Sequence, residues 1–165
     1  YTTKMKFLRV LLLLVSTVFA DEATVVKIFD GDTIQVNNGG TIQTIRFLGI
    51  DTPETRINEK LSNDSKRTKQ STEKIIALGN KSKAYLESIL SVGDKVRLEY
   101  DLNLYQGNRL LAYVYKDSGD MLNLKLIESG FATTMTIPPN VKYADTFKKA
   151  ENLARKERKG NWNEQ

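Results

Sequence analysis

The feature that most restricts the fold is a four-residue turn signal between two β-prone segments. Asn37-Asn38-Gly39-Gly40 separates residues 33–36 from residues 41–48, and both segments are rich in β-branched side chains in partial alternation. Asparagine and glycine tolerate the positive φ angles that tight hairpin turns require. The sequence therefore predicts an antiparallel β-hairpin over residues 33–48.

Further strands and helices can be placed around this hairpin. The predicted additional strands cover 23–29, 96–100 and 110–115, and the predicted helices cover 79–93, 122–129 and 145–159. Residues 57–78 are polar, show no clear period, and are predicted to form a long mobile loop. Five strands suit a small closed sheet, so the predicted fold class is α+β: a five-stranded Greek-key β-barrel with three α-helices.

The first twenty residues have the pattern of a signal peptide. Lys4, Lys6 and Arg9 precede the apolar stretch 10–15, and Val18-Phe19-Ala20 offers small residues for cleavage after Ala20. An uncleaved membrane anchor is the alternative, but the apolar stretch is shorter than the ~20 residues that span a bilayer. We expect a signal peptide at 1–20, with residues before Met5 that are non-native or misassigned, and one domain at 21–165.

Composition excludes several kinds of chemistry. The 165 residues include no histidine and no cysteine, which rules out a disulfide framework, a thiol nucleophile, a Ser-His triad and a His- or Cys-ligated zinc site. A metal held by oxygen ligands alone would be calcium, magnesium or manganese. Any catalysis must therefore use carboxylates, hydroxyls and cationic side chains.

The basic residues are concentrated in two segments. Without residues 1–20 the chain has 22 basic against 20 acidic residues, a net charge of +2, so the distribution matters more than the total. Residues 60–83 hold seven basic and two acidic side chains, and residues 148–159 hold six and two. Either segment could contact a polyanion or form an ordinary solvated face.

Two short motifs carry the candidate chemistry. Asp30-Gly31-Asp32-Thr33 lies at a predicted turn, and residues 46–55, Arg-Phe-Leu-Gly-Ile-Asp-Thr-Pro-Glu-Thr, follow the end of the third strand. Each motif alone is explained by the frequency of aspartate, glycine and proline in turns. Together, Asp32 and Asp51 could hold a hard cation while Glu54 reaches a nearby water molecule. Arg46 would add a phosphate-binding guanidinium, and this combination suits phosphodiester hydrolysis.

The combination of Asp-Gly-Asp-Thr with Arg-x-x-x-x-Asp-Thr-Pro-Glu-Thr resembles the thermonuclease family, the staphylococcal-nuclease-like domains. The resemblance extends from about Ala23 to Trp162. It implies a five-stranded OB-fold barrel with three helices in a secreted, calcium-dependent nuclease. The implied substrates are DNA and RNA, preferably single-stranded or denatured, and the implied products carry 3′-phosphates after cleavage of the 5′ P–O bond. A monomer without stable membrane association after signal cleavage is expected.

The resemblance also assigns roles to individual residues. It implies Asp32, Asp51 and the backbone carbonyl of Thr52 as calcium ligands, with Asp30 as an outer carboxylate. It implies Arg46 and Arg109 as the phosphate clamp and Glu54 as the residue that orients or deprotonates the attacking water. This set needs no histidine, which agrees with the composition.

The chain departs from the family pattern in places. Gly107-Asn108 precedes Arg109 where the family has Tyr-Gly, and residues 133–137 lack the tyrosines that stack on the nucleotide base. Additional substrate contacts are predicted for four residues: Tyr113, for which core packing is the alternative, and Lys66, Arg67 and Lys69 of the predicted loop.

Two other functions remain compatible with the sequence. One is a catalytically silent OB-fold module that binds single-stranded nucleic acid, and the other is a secreted cell-envelope scaffold with a structural calcium site. A binding module has no use for the full catalytic set, and a scaffold has no need for both arginines.

Overall fold

A computed structural model describes residues 21–164, so the predicted signal peptide lies outside the described residues. The strands are β1 (Asp21–Asp30), β2 (Thr33–Asn38), β3 (Thr41–Phe47), β4 (Ile50–Asp51), β5 (Lys95–Glu99), β6 (Tyr105–Gln106), β7 (Arg109–Lys116) and β8 (Thr133–Thr134). The helices are α1 (Glu59–Thr68), α2 (Thr72–Ile89), α3 (Leu122–Glu128) and α4 (Ala144–Lys156), followed by a 3₁₀ segment at Gly160–Glu164. Among the described residues, no helix combines the length and apolar character needed to cross a membrane.

Five of the strands form a closed barrel. Their order is β3-β2-β1-β5-β7, all neighbours in this order are antiparallel, and a parallel pairing of β3 with β7 closes the sheet. Closure removes the free edges of the main strands, while β6 extends β7 and β4 pairs separately with β8. The predicted α+β class and five-stranded OB-like barrel are confirmed.

The predicted hairpin connects β2 to β3. Thr33 is opposite Arg46 at the open end, and Asn38 is opposite Thr41 next to the turn. Gly39 and Gly40 have φ angles of 58° and 91°, which side chains other than glycine rarely adopt. This register places Arg46 beside the turn that connects β1 to β2.

Residues 57–78 are not the loop that the sequence predicted. They contain α1 and the first part of α2, which begins at Thr72 rather than near Asn80. Each helix begins with an N-cap residue, a signal that does not depend on apolar periodicity. The side chain of Asn58 accepts from Leu61 N at 2.8 Å, and that of Ser71 accepts from Lys74 N at 3.2 Å. Only Leu61 of α1 is buried, so the helix lacks the apolar stripe that would have revealed it.

The other predicted helices are present with small shifts at their ends. The predicted helix 122–129 corresponds to α3, and the predicted helix 145–159 corresponds to α4, which ends before the 3₁₀ segment. Buried Asn123 joins α3 to the barrel because its Nδ2 donates to Leu48 O and its Oδ1 accepts from Val114 N, both at 2.9 Å. Residues 21–164 therefore contain four α-helices where three were predicted.

Gly79 allows α2 to pack against the chain that carries Glu54. A Cβ atom at residue 79 would overlap the backbone carbonyl groups of Glu54 and Pro53. Gly79 is buried within the helix and needs no unusual φ angle, so its small size rather than its flexibility explains its presence. Helix α2 thus provides the surface against which the backbone of Glu54 lies.

We expect Gly79→Ala to lower the free energy of unfolding by ~1–3 kcal/mol, because the added methyl must displace packed backbone. Asn80→Ala, at the adjacent exposed position of α2, should change it by less than ~0.5 kcal/mol. Urea denaturation of both variants measures the difference. Equal stabilities would show that the contact between α2 and Glu54 is not tight.

Candidate active site

A cleft of about 510 Å³ opens at one end of the barrel. It is bordered by the β1–β2 turn, the end of β3, the segment from β4 to α1, and the start of β7. Predicted site residues that line this cleft are Asp30, Asp32, Arg46, Asp51, Glu54 and Arg109. Side chains far apart in sequence therefore meet as predicted, although their roles stay predictions.

Asp32 is fixed by the surrounding backbone. Its carbonyl accepts from Phe47 N at 2.8 Å, while its Oδ2 accepts from Thr52 N at 2.8 Å and from Thr52 Oγ1 at 3.0 Å. Gly31 permits this approach, since a Cβ there would lie 2.9 Å from Thr52 Cγ2. The two sequence motifs are thus joined directly through Asp32 and Thr52.

Arg46 connects the two candidate metal-binding carboxylates. Its Nη1 lies 2.7 Å from Asp32 Oδ2, and its Nη2 lies 2.8 Å from Asp51 Oδ1. The Arg46 side chain is only 11% exposed, so these contacts are little screened by water. A planar guanidinium can bridge two carboxylates in this way, which a lysine ammonium cannot do with the same fixed geometry.

Two acidic side chains of the cleft, Asp30 and Asp51, have raised pKa values. Burial and, to a smaller extent, the nearby charge of Asp32 together raise the pKa of Asp30 to about 6. Burial also raises the pKa of Asp51, with the charge of Asp32 acting in the same direction and the charges of Lys60 and Arg46 opposing it. Negative charge is therefore crowded in this cleft, and added positive charge would stabilise it.

Glu54 is held at the N-terminal end of α1. Its Oε1 lies 2.8 Å from Lys60 Nζ, and its Oε2 accepts from Asn58 Nδ2 at 2.5 Å. Burial lowers the pKa of Lys60, but the charge of Asp51 and the contact with Glu54 outweigh it, so the pKa is raised and Lys60 stays protonated. Lys60 was not among the predicted site residues. The available signal was Asn58, which caps α1 two residues before Lys60 and also donates to Glu54.

Arg109 reaches the same cleft from the first position of β7. Its Nη2 donates to Gln106 Oε1 at 2.7 Å, across the short pairing of β6 with β7. No carboxylate is paired with Arg109 among the described residues, in contrast to Arg46. Its guanidinium can therefore contact an anionic ligand without breaking an ion pair.

The four predicted substrate-binding residues lie away from this cleft. Tyr113 is buried and donates from its hydroxyl to Asp101 Oδ2 at 3.0 Å, which supports the packing role. Lys66 and Lys69 are exposed on α1 and its C-cap. Arg67 pairs with Asp64 at 2.9 Å and lines a second cleft of about 450 Å³.

The donor set fits a hard cation. Within residues 21–164, no three His, Cys, Asp or Glu side chains form a preassembled metal cluster. Four oxygens nevertheless surround one positive charge, Lys60 Nζ: Glu54 Oε1 at 2.8 Å, Asp51 Oδ2 at 3.3 Å, Thr52 O at 3.4 Å and Asp64 Oδ2 at 3.5 Å. Carboxylate and carbonyl oxygens are the ligands that calcium prefers.

The chain is similar to known proteins over most of its length. The family model described as "Staphylococcal nuclease homologue" matches residues 44–164. The chain is 34% identical over 146 residues to the thermonuclease of Staphylococcus hyicus, which covers 87% of this chain and 78% of that protein.

Two larger relatives come from Bacillus subtilis (strain 168). The chain is 36% identical over 148 residues to Endonuclease YhcR, covering 87% of this chain and 11% of that protein. It is 37% identical over 147 residues to the SPbeta prophage-derived endonuclease YokF, covering 86% of this chain and 44% of that protein. The chain thus corresponds to a minor part of these two relatives and to most of the thermonuclease, and it belongs to the staphylococcal nuclease family.

Proposed function

We propose that this chain is a calcium-dependent nuclease that hydrolyses phosphodiester bonds in DNA and RNA. The observation that carries the proposal is the junction of Arg46 with Asp32 and Asp51 in the cleft that also holds Glu54 and Arg109. A module that only binds nucleic acid needs basic and aromatic side chains but not buried carboxylates beside them. The names of the relatives, endonuclease and thermonuclease, support the same reaction class.

Asp32, Asp51 and the carbonyl of Thr52 would hold the calcium ion, which when bound supplies Lewis-acid activation of the scissile phosphate and its attacking water. Arg46 and Arg109 would donate hydrogen bonds to phosphate oxygens. Negative charge on those oxygens grows in the transition state, so guanidinium groups held in place stabilise it more than the ground state.

Glu54 would accept the proton of the attacking water. Its carboxylate lies at the cleft, and the contact of its backbone with α2 limits its movement. Phosphodiester hydrolysis by this site would need no histidine, because a carboxylate serves as the base, two arginines bind the phosphate and oxygen ligands hold the cation. By the family resemblance, the 5′ P–O bond breaks and the products carry 3′-phosphates.

Secretion is part of the proposal. The pattern of residues 1–20 supports export by a signal peptide, with residues 21–165 acting as a monomer outside the cell or in a periplasm. Single-stranded or denatured nucleic acid is the preferred substrate because an unpaired strand can bend into a cleft of this size.

We expect hydrolysis of denatured DNA to require added calcium, with magnesium supporting binding far better than turnover. Magnesium demands a near-octahedral ligand set that these oxygens would not supply without rearrangement. Release of acid-soluble nucleotide with calcium, with magnesium and with a chelator measures this. Undiminished hydrolysis in the chelator would contradict the assignment of calcium.

Glu54→Gln, Arg46→Ala and Arg109→Ala are each expected to lower kcat by at least ~10²-fold, the scale of losing one fixed transition-state contact. Arg46→Ala also leaves Asp32 and Asp51 without their shared partner, so its stability must be measured alongside its rate. Arg97→Ala, on the exposed face of β5, is the matched control and should keep wild-type kcat. A wild-type rate for Arg109→Ala would show that Arg109 is not part of the clamp.

Neutralising Lys66, Arg67 and Lys69 together should raise KM on long DNA several-fold at low salt and leave kcat nearly unchanged. Lys66 and Arg67 lie on α1 and Lys69 is its C-cap, and none of the three would contact a reacting atom. Each lost phosphate contact on a single strand should reduce the salt slope by ~0.7. A dinucleotide is the control substrate because it is too short to reach these three side chains, and an unchanged KM and salt slope on long DNA would refute the contact.

A further inference from the structure

Lys60 contacts two of the three proposed calcium ligands and also the proposed base. Its Nζ lies 2.8 Å from Glu54 Oε1, 3.3 Å from Asp51 Oδ2 and 3.4 Å from the carbonyl oxygen of Thr52. Two of these groups are proposed metal ligands, and the third is the proposed base. A lysine ammonium and a calcium ion are both compact cations that bind oxygen, so they cannot share this position.

We propose that Lys60 is a built-in competitor of the metal ion, which must leave these oxygens before calcium binds. This inference rests on the proposed calcium site and assigns a role to a residue outside the predicted set. Lys60 would act as a positioning residue: it holds the carboxylates together, and it sets the calcium concentration at which the site is loaded. Because its contact with Glu54 is made through Oε1, its departure would also free the proposed base.

Helix α1 provides a second partner for the displaced ammonium. Asp64 lies one helical turn beyond Lys60, and its Oδ2 is already 3.5 Å from Lys60 Nζ. Asp64 does not line the site cleft, and Lys60 can approach its Oδ2 more closely by turning along α1 and away from Glu54. This movement requires only side-chain rotation, because buried Leu61 and the Asn58 cap hold the start of α1 in place.

The exposure of Lys60 makes such an exchange feasible. Its side chain is 38% exposed, whereas that of Arg46 is 11% exposed. A partly solvated ion pair contributes little to stability and exchanges partners readily, whereas a buried pair is costly to break. Of the two cations at Asp51, Lys60 is therefore the one that calcium would displace.

Calorimetric titration of the full chain with calcium chloride tests this inference. Lys60→Met is expected to bind calcium ~3- to 5-fold more tightly than the wild type, the upper range for removing the competition of one partly exposed ion pair. Lys60→Arg, which keeps the charge, should bind no more tightly than the wild type. Lys66→Met removes one charge from the same helix outside the site and should change the affinity less than ~2-fold.

The Asp64→Asn variant tests whether Lys60 moves to Asp64 when calcium binds, as opposed to Asp64 simply attracting calcium through its negative charge. It should weaken calcium binding when Lys60 is present, because the ammonium loses its second partner, and should have a smaller effect in the Lys60→Met background. Equal effects of Asp64→Asn in both backgrounds would overturn the exchange with Asp64. Circular dichroism checks that each variant is folded.

The two proposals fail differently in this experiment. Equal calcium affinities of the wild type and folded Lys60→Met would overturn the competitor role and leave the calcium site standing. No binding by the wild type with clear binding by Lys60→Met would support the role strongly. No binding by either would remove the calcium assignment and the competitor role together.

Discussion

The bridge from Arg46 to Asp32 and Asp51 is the interaction on which the site depends. Three buried or half-buried charged groups are held in one end of an apolar barrel, where an unpaired charge would be costly. The barrel determines their meeting: β3 places Arg46 opposite Thr33 of β2 and beside Leu111 of β7. Because β3 pairs with β2 on one side and with β7 on the other, the backbone that carries the Arg46 side chain is held in place.

The surrounding elements extend this bridge into a charge-balanced cluster. Gly31 lets the turn of Asp30 and Asp32 approach Thr52, and Gly79 lets α2 approach the backbone of Glu54. Helix α1 then adds Lys60 to the oxygens that Arg46 does not contact. The cluster therefore combines a rigid cation, which keeps the carboxylates in place, with a flexible one, which we infer gives way to calcium.

Much of the fold and of the site could be predicted because their signals are local. The Asn-Asn-Gly-Gly turn predicted the hairpin. The positions of Asp32, Asp51 and Arg46 near strand ends predicted that they meet in one cleft. Helix α1 was missed because it buries only Leu61, and Lys60 was missed with it, since its partners depend on where that helix begins. Tyr113 could not be placed from strand parity alone, because both the core and the cleft lie along β7.

Carboxylate carbon NMR during a calcium titration tests most directly whether these side chains form one cation-responsive cluster. If the site binds calcium as one cluster, the carboxylate signals of Asp32, Asp51 and Glu54 shift together with a single midpoint. Exposed carboxylates elsewhere, such as Glu22, should not follow that midpoint. Independent midpoints for the three site residues, or shifts confined to surface carboxylates, would contradict it.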